Sequence, residues 1–130
     1  MSASDKGFTL IESLLALLIM LFSITAIFPI FINSTFLNVA NSNLTVAISH
    51  AQYALEEKKE MNFISIPIGT ETWDSGKIIS KGLIPLNSET VAITVTNSGS
   101  YMKDIIATVS WRGRGIINRN IALETLITGQ

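Results

Sequence analysis

Hydrophobic positions divide the chain into three stretches with different periods. From Ser13 to Ile32 nearly every position is apolar, and formal charge is absent from Ser13 through Leu55. About 20 apolar residues suffice to cross a ~30 Å hydrocarbon core, so this stretch predicts a membrane-length helix. One carboxylate, Glu12, stands at its mouth. A carboxylate at mid-span costs roughly 2.5–3.5 kcal/mol and less near the interface, so an acid kept at the edge calls for a partner. From Asn33 to Asn62 the apolar residues thin into a stripe at three- and four-residue steps: Leu37, Ala40, Leu44, Ala47, Ala51 and Ala54, widened by Ile48 and Leu55. That spacing predicts an amphipathic continuation of the helix. Asn38, Asn41, Ser42, Thr45, Ser49 and Gln52 form its polar face. The cluster Glu56-Glu57-Lys58-Lys59-Glu60 reads as a solvated helix end, with Glu56 and Lys59 one turn apart.

Phe63 to Pro85 reads as a loop punctuated by Pro67, Gly69, Gly76, Gly82 and Pro85, with Trp73 as a local packing anchor. Beyond it the period becomes two. Val91, Ile93 and Val95 alternate with Ala92, Thr94 and Thr96, and Asn97-Ser98-Gly99-Ser100 predicts a turn. Ile105, Ala107, Val109 and Trp111 alternate with Ile106, Thr108 and Ser110 in a second strand. Arg112-Gly113-Arg114-Gly115 predicts a hairpin into a third strand over Ile116–Ile127, with Ile117, Arg119, Ile121, Leu123 and Thr125 sharing a side. The expected fold is α+β: a three-stranded antiparallel meander packed on the Leu44–Leu55 stripe of one long helix.

Composition narrows the chemistry. At 130 residues there is room for one small domain beside a membrane segment. The mean hydropathy of +0.44 is carried by the N-terminal third, and a net charge of −1 gives no polyanion-binding signature. The absence of cysteine excludes disulfides, thiolate metal sites and cysteine nucleophiles. A single histidine, His50, leaves little material for a histidine-based metal site. No nucleophile–base pair, phosphate loop or calcium-loop spacing is recognisable, so neither an enzyme nor a cofactor is expected. Arg112, Arg114 and Arg119 are the one basic cluster to weigh. They could touch DNA phosphates, but arginines around a hairpin more often keep its tip soluble, and DNA is not expected as a partner. Asn33-Ser34-Thr35 and Asn43-Leu44-Thr45 match the glycosylation acceptor pattern, which is weak evidence here.

The N-terminus differs from an ordinary secretory signal, whose apolar core spans about 7–15 residues and precedes a cleavage site of small residues. Here the apolar run is longer, and Gly7 lies before it. Lys6-Gly7-Phe8-Thr9-Leu10-Ile11-Glu12 followed by the span resembles the cleavage and methylation motif of type IV pilins and pseudopilins. Pro29 falls where many pilins carry a helix-kinking proline. The resemblance covers Lys6 to Ile32 and implies a set of roles. Residues 1–7 would be a leader, recognised through Lys6 and Gly7 and cut by a prepilin peptidase after Gly7. Phe8 would begin the mature chain and be N-methylated. Residues 8–32 would form the transmembrane and assembly half of the helix, 33–62 its amphipathic half, and 63–130 a small β-sheet region.

Glu12 would meet the N-terminal amine of a neighbouring subunit. A paired buried charge costs far less than an unpaired one, so such a contact would set register more than add stability. Pro29, which removes one helix hydrogen bond, would mark either a place where the helix bends or melts or a merely tolerated kink. The implied partners are the prepilin peptidase, other pilin or pseudopilin subunits, an inner-membrane assembly platform and membrane lipid. The protein would be held in the inner membrane by a single pass with its N-terminus cytoplasmic, then enter an extracellular or periplasmic filament. The β region looks like that of short PilV-type minor pilins and of small type II secretion pseudopilins. A minor pilin is the leading expectation and a type II secretion or competence pseudopilin the alternative. A signal-anchored extracytoplasmic binding module is the rival of a different class.

Overall fold

A computed structural model describes residues 9–113 and 117–129. Helix α1 (Leu10–Glu60) is followed by a 3-10 turn at Phe63–Ser65, strand β1 (Gly69–Trp73) and helix α2 (Ser75–Ser80). Three strands complete the chain: β2 (Thr90–Gly99), β3 (Met102–Arg112) and β4 (Asn118–Thr128). The structure divides into two compact units, Met1–Val39 and Ala40–Gln130. The α+β expectation holds, with the long helix packed on an antiparallel sheet.

In the first unit, α1 turns its apolar side chains outward all round, and the membrane-length window of the helix has no part buried within the chain. A helix that is apolar on every face and uncovered is suited to lipid or to other helices rather than to water.

In the second unit, period-two alternation sorts the strands cleanly. Val91, Ile93 and Val95 of β2 and Ile105, Ala107, Val109 and Trp111 of β3 are buried and share one core with Ala47, Ala51, Ala54 and Leu55 of α1. Three of the four helix residues in this core are alanines, which keeps the helix side of it small, and Trp73, Ile66 and Ile78 add bulk to the same core. The stripe expected from the sequence is buried only from Ala47 onward: Leu44 is 39% exposed, and Leu37 belongs to the first unit.

The sheet has four strands, not three, in the order β1-β2-β3-β4, each antiparallel to its neighbour. The additional strand lies in the stretch expected to be loop. Its Thr70↔Thr94 and Thr72↔Ala92 pairs run along β2, and Trp73 faces Val91. A five-residue edge strand takes its definition from the strand it pairs with, so its own pattern is a weak signal. The same stretch holds α2, started by Asp74, whose Oδ1 accepts from the Lys77 N–H at 2.8 Å. Gly82 follows α2 at φ +77°, a left-handed conformation natural to glycine at a helix end. Trp73 is fully buried, as an anchor should be.

Two turn boundaries also move. β2 continues through Asn97 to Gly99 with a register shift, so the turn falls at Ser100–Tyr101. β4 begins at Asn118 rather than Ile116, which lies outside the described residues along with Arg114 and Gly115.

Candidate functional site

Of the expected processing residues, Lys6, Gly7 and Phe8 lie outside the described residues. Thr9 immediately precedes α1, and Glu12 lies in its first turn. The Glu12 carboxylate Oε2 accepts from both the backbone N–H and the hydroxyl of Thr9 at 3.4 Å, while Thr9 Oγ1 accepts from the Glu12 N–H at the same distance. Thr-x-x-Glu at a helix start is the capping-box pattern, in which the two side chains satisfy each other's orphan backbone donors. At 3.4 Å these bonds are long, and a carboxylate has about four acceptor positions, so Glu12 keeps ample capacity for a stronger donor. An anion also sits favourably at the positive end of the helix dipole.

From Ser13 to Ile32 the helix presents almost only apolar side chains to its surroundings. Its three hydroxyls as far as Ile32 donate to the carbonyl four residues back: Ser13 to Thr9 at 3.4 Å, Ser23 to Ile19 at 2.8 Å and Thr25 to Leu21 at 2.7 Å. Such back-bonding hides hydroxyl donors within the helix. Pro29 lacks the N–H that would bond the Thr25 carbonyl, yet the chain stays α-helical through it, so no melted turn is present here. Ile24, Phe28, Pro29 and Ile32 line an open apolar groove at that point.

Sequence reasoning missed the polar locks that hold the second unit together. His50 and Glu89 are both buried, with His50 Nδ1 2.7 Å from Glu89 Oε1, and the other Glu89 oxygen accepts from the Leu86 N–H at 2.5 Å. This contact ties α1 to the segment entering β2.

The charge cluster at the end of α1 is not simply solvated. Lys58 is 5% exposed and donates to Glu71 at 2.6 Å; Glu57 pairs with Lys81. The Glu56–Lys59 pair does not form among the described residues. Glu71 also accepts from Lys77 at 2.5 Å and from Trp73 Nε1 at 2.8 Å. The Lys58 ammonium foremost, then Lys77 and the Trp73 indole, draw its carboxyl down to about 2 against the opposing effect of burial. Lys103, also buried, donates to the Phe63 and Ile66 carbonyls at 2.7 Å and lies over the Phe63 ring.

A legible trace existed for one partner in each lock: His50 falls three residues after Ala47 in the buried stripe, and Lys58 three after Leu55. Their distant acids, Glu89 and Glu71, have no local signal. Among the described residues no group of three or more His, Asp or Glu could hold a metal ion.

Arg112 and Arg119 reach one pocket at the β3–β4 end of the sheet, and Arg114 lies outside the described residues. Arg112 is fixed by its backbone N–H, which donates to the Asn87 carbonyl at 2.9 Å, and Gly113 closes the hairpin by donating to Ile117.

Residues 2–28 match the family model of the prokaryotic N-terminal methylation motif. The N-terminus carries a prokaryotic N-terminal methylation motif. The match contains Lys6, Gly7, Phe8 and Glu12 and ends one residue before Pro29. Together with the uncovered apolar helix, this prepilin-type motif supports a type IV pilin or pseudopilin, and so a structural subunit rather than an enzyme. It implies processing by a prepilin peptidase, assembly with other pilins and a membrane-anchored state before assembly. No curated protein and no solved structure matches the chain.

Proposed function

We propose that this protein is a minor pilin: held in the inner membrane by residues 8–32, cut after Gly7, methylated on Phe8 and built into or priming a type IV pilus. The observation that carries the reading is the prepilin motif joined to a helix whose apolar surface is left entirely uncovered. Such a helix needs lipid before assembly and neighbouring helices after it. Glu12 is the polar exception, and its loose contacts with Thr9 leave it ready for the amine of a neighbouring Phe8. That exchange replaces two long hydrogen bonds from neutral donors with one from an ammonium, in which both partners are charged.

Mass spectrometry of the mature protein tests the first step. Loss of Met1 to Gly7 and a methylated Phe8 are expected, and a retained Met1-Ser2 terminus would sink the reading. Sheared surface fibres test the second. Presence of the chain in retractable pili assigns a minor pilin, whereas confinement to a periplasmic filament beside a secretin assigns the pseudopilin alternative.

A further inference from the structure

We infer that the free edge of β4 is a docking site for an extended segment of a different protein chain, which joins the sheet antiparallel to β4 as a further strand. β4 has 11 residues and ends the sheet. Its register with β3 runs without a bulge from Asn118 to Thr128. The other edge, β1, has only 5 residues. Natural sheets blunt a long edge with lysine, proline or a bulge, and β4 has none of these; its only charges are Arg119 near one end and Glu124.

The backbone selects the kind of occupant. The Gly113 N–H donates to the Ile117 carbonyl and the Gly129 N–H to the Tyr101 carbonyl, and both pairs continue the β3–β4 register. Bonded and unbonded pairs alternate along an antiparallel ladder, so the odd-numbered residues of β4 are the ones bonded to β3. The N–H and C=O groups of Asn118, Asn120, Ala122, Glu124, Leu126 and Thr128 therefore point away from β3, and they have no partner among the described residues. A row of donors and acceptors at this spacing is matched by another extended backbone.

The side chains add a pattern to that demand. Ile121 and Leu123 are half-buried, while Val109 and Ala107 opposite them are fully buried. Ile127 on the same face is also half-buried, so the core stays open along β4. A strand with apolar residues at alternate positions closes it. Neither Glu124 nor Arg119 forms an ion pair among the described residues, so a base opposite the first and an acid opposite the second complete the match. A second copy offering its own β4 is the wrong occupant. The two-fold axis of that pairing turns the two α1 helices lying on the sheet in opposite directions, whereas chains anchored in one membrane share a direction. This exclusion rests on the proposed pilin reading; the chemistry of the edge does not.

The test uses the full ¹⁵N-labelled chain in zwitterionic micelles and a synthetic peptide alternating valine and threonine, with one lysine and one glutamate spaced to face Glu124 and Arg119. Without peptide, the amides of Asn120, Ala122, Glu124 and Leu126 should exchange with solvent quickly, and those of Ile121, Leu123 and Thr125 slowly. Saturating peptide should slow the first set at least tenfold and leave the second nearly unchanged. The same peptide N-methylated at the amides facing β4 should bind at least tenfold more weakly, and exchanging its lysine and glutamate should also weaken it. Ala122→Pro should weaken binding at least tenfold yet keep the wild-type thermal midpoint, because the N–H it removes bonds nothing, whereas Leu123→Pro should lower the midpoint. Unaltered exchange at the outward amides, equal affinity of the N-methylated peptide, or full binding by Ala122→Pro would overturn the inference. Protection of the same amides that grows with protein concentration alone would assign the edge to a second copy and overturn the stated occupant.

Discussion

The two units of this chain solve opposite problems with one helix. In the first, apolar side chains from Leu10 to Phe36 stand uncovered and the hydroxyls fold back on the backbone. In the second, the same helix turns Ala47, Ala51, Ala54 and Leu55 inward, and its polar inward residues, His50 and Lys58, each find an acid. The lesson concerns where the hydrophobic effect is satisfied. One unit closes its core within the chain, and the other defers closure to lipid or to other subunits. Perturbations should therefore separate along this division.

The largest separation is expected from Trp73→Ala. Removing a fully buried aromatic ring costs about 3–5 kcal/mol, a large part of a small domain's stability. The sheet amides should lose hydrogen-exchange protection while membrane insertion and cleavage after Gly7 continue. Failure of both together would break the comparison.

Glu12→Ala should do the reverse. The second unit should melt as wild type, yet incorporation into filaments, read by immunoblot of sheared fibres, should fall at least tenfold. Normal incorporation would remove the pairing role.

His50→Ala should lower stability by about 1–3 kcal/mol, because Glu89 is left buried beside one remaining donor. Thermal unfolding in micelles reads the loss, which should be smaller than that of Trp73→Ala.

The smallest effect is acid-dependent. The Glu71 carboxyl is held at about 2 in the folded state against an ordinary value of 4.5. A depressed carboxyl contributes stability above its ordinary value and loses that contribution as pH falls towards the folded value. Wild type should therefore lose stability between pH 4.5 and about 2 that Glu71→Gln does not lose. Its side chain is 32% exposed, so screening limits the size of the difference. Parallel acid profiles would show that the Lys58–Glu71–Lys77 cluster is electrostatically idle.

Legibility in the sequence follows the range of the interactions. The long helix and β2 to β4 were readable because their periods repeat over many residues, and Trp73 was readable as a packing anchor. β1 and α2 were not, since each has six residues or fewer and is defined by a neighbour or a cap. Asp74 was a readable cap signal, and so was Thr9-x-x-Glu12, but both stand beside stronger patterns that draw attention away. The His50–Glu89 and Lys58–Glu71 contacts join residues 39 and 13 positions apart, where no local rule operates. The processing residues were legible as a motif alone; the match to residues 2–28 supports that motif, while the cut, the methyl group and the pairing of Glu12 stay with experiment.

The back-bonded hydroxyls carry one consequence for how this helix can be seated among others. Ser13, Ser23 and Thr25 have spent their donors on their own helix, so the shaft from Ser13 to Ile32 keeps no free side-chain hydrogen-bond donor to catch a neighbour. Two such shafts would have only the fit of their apolar side chains, and no side-chain hydrogen-bond donor, to set their register. On the proposed pilin reading, the axial position of such shafts would rest on Glu12, the one carboxylate at the end of the rod.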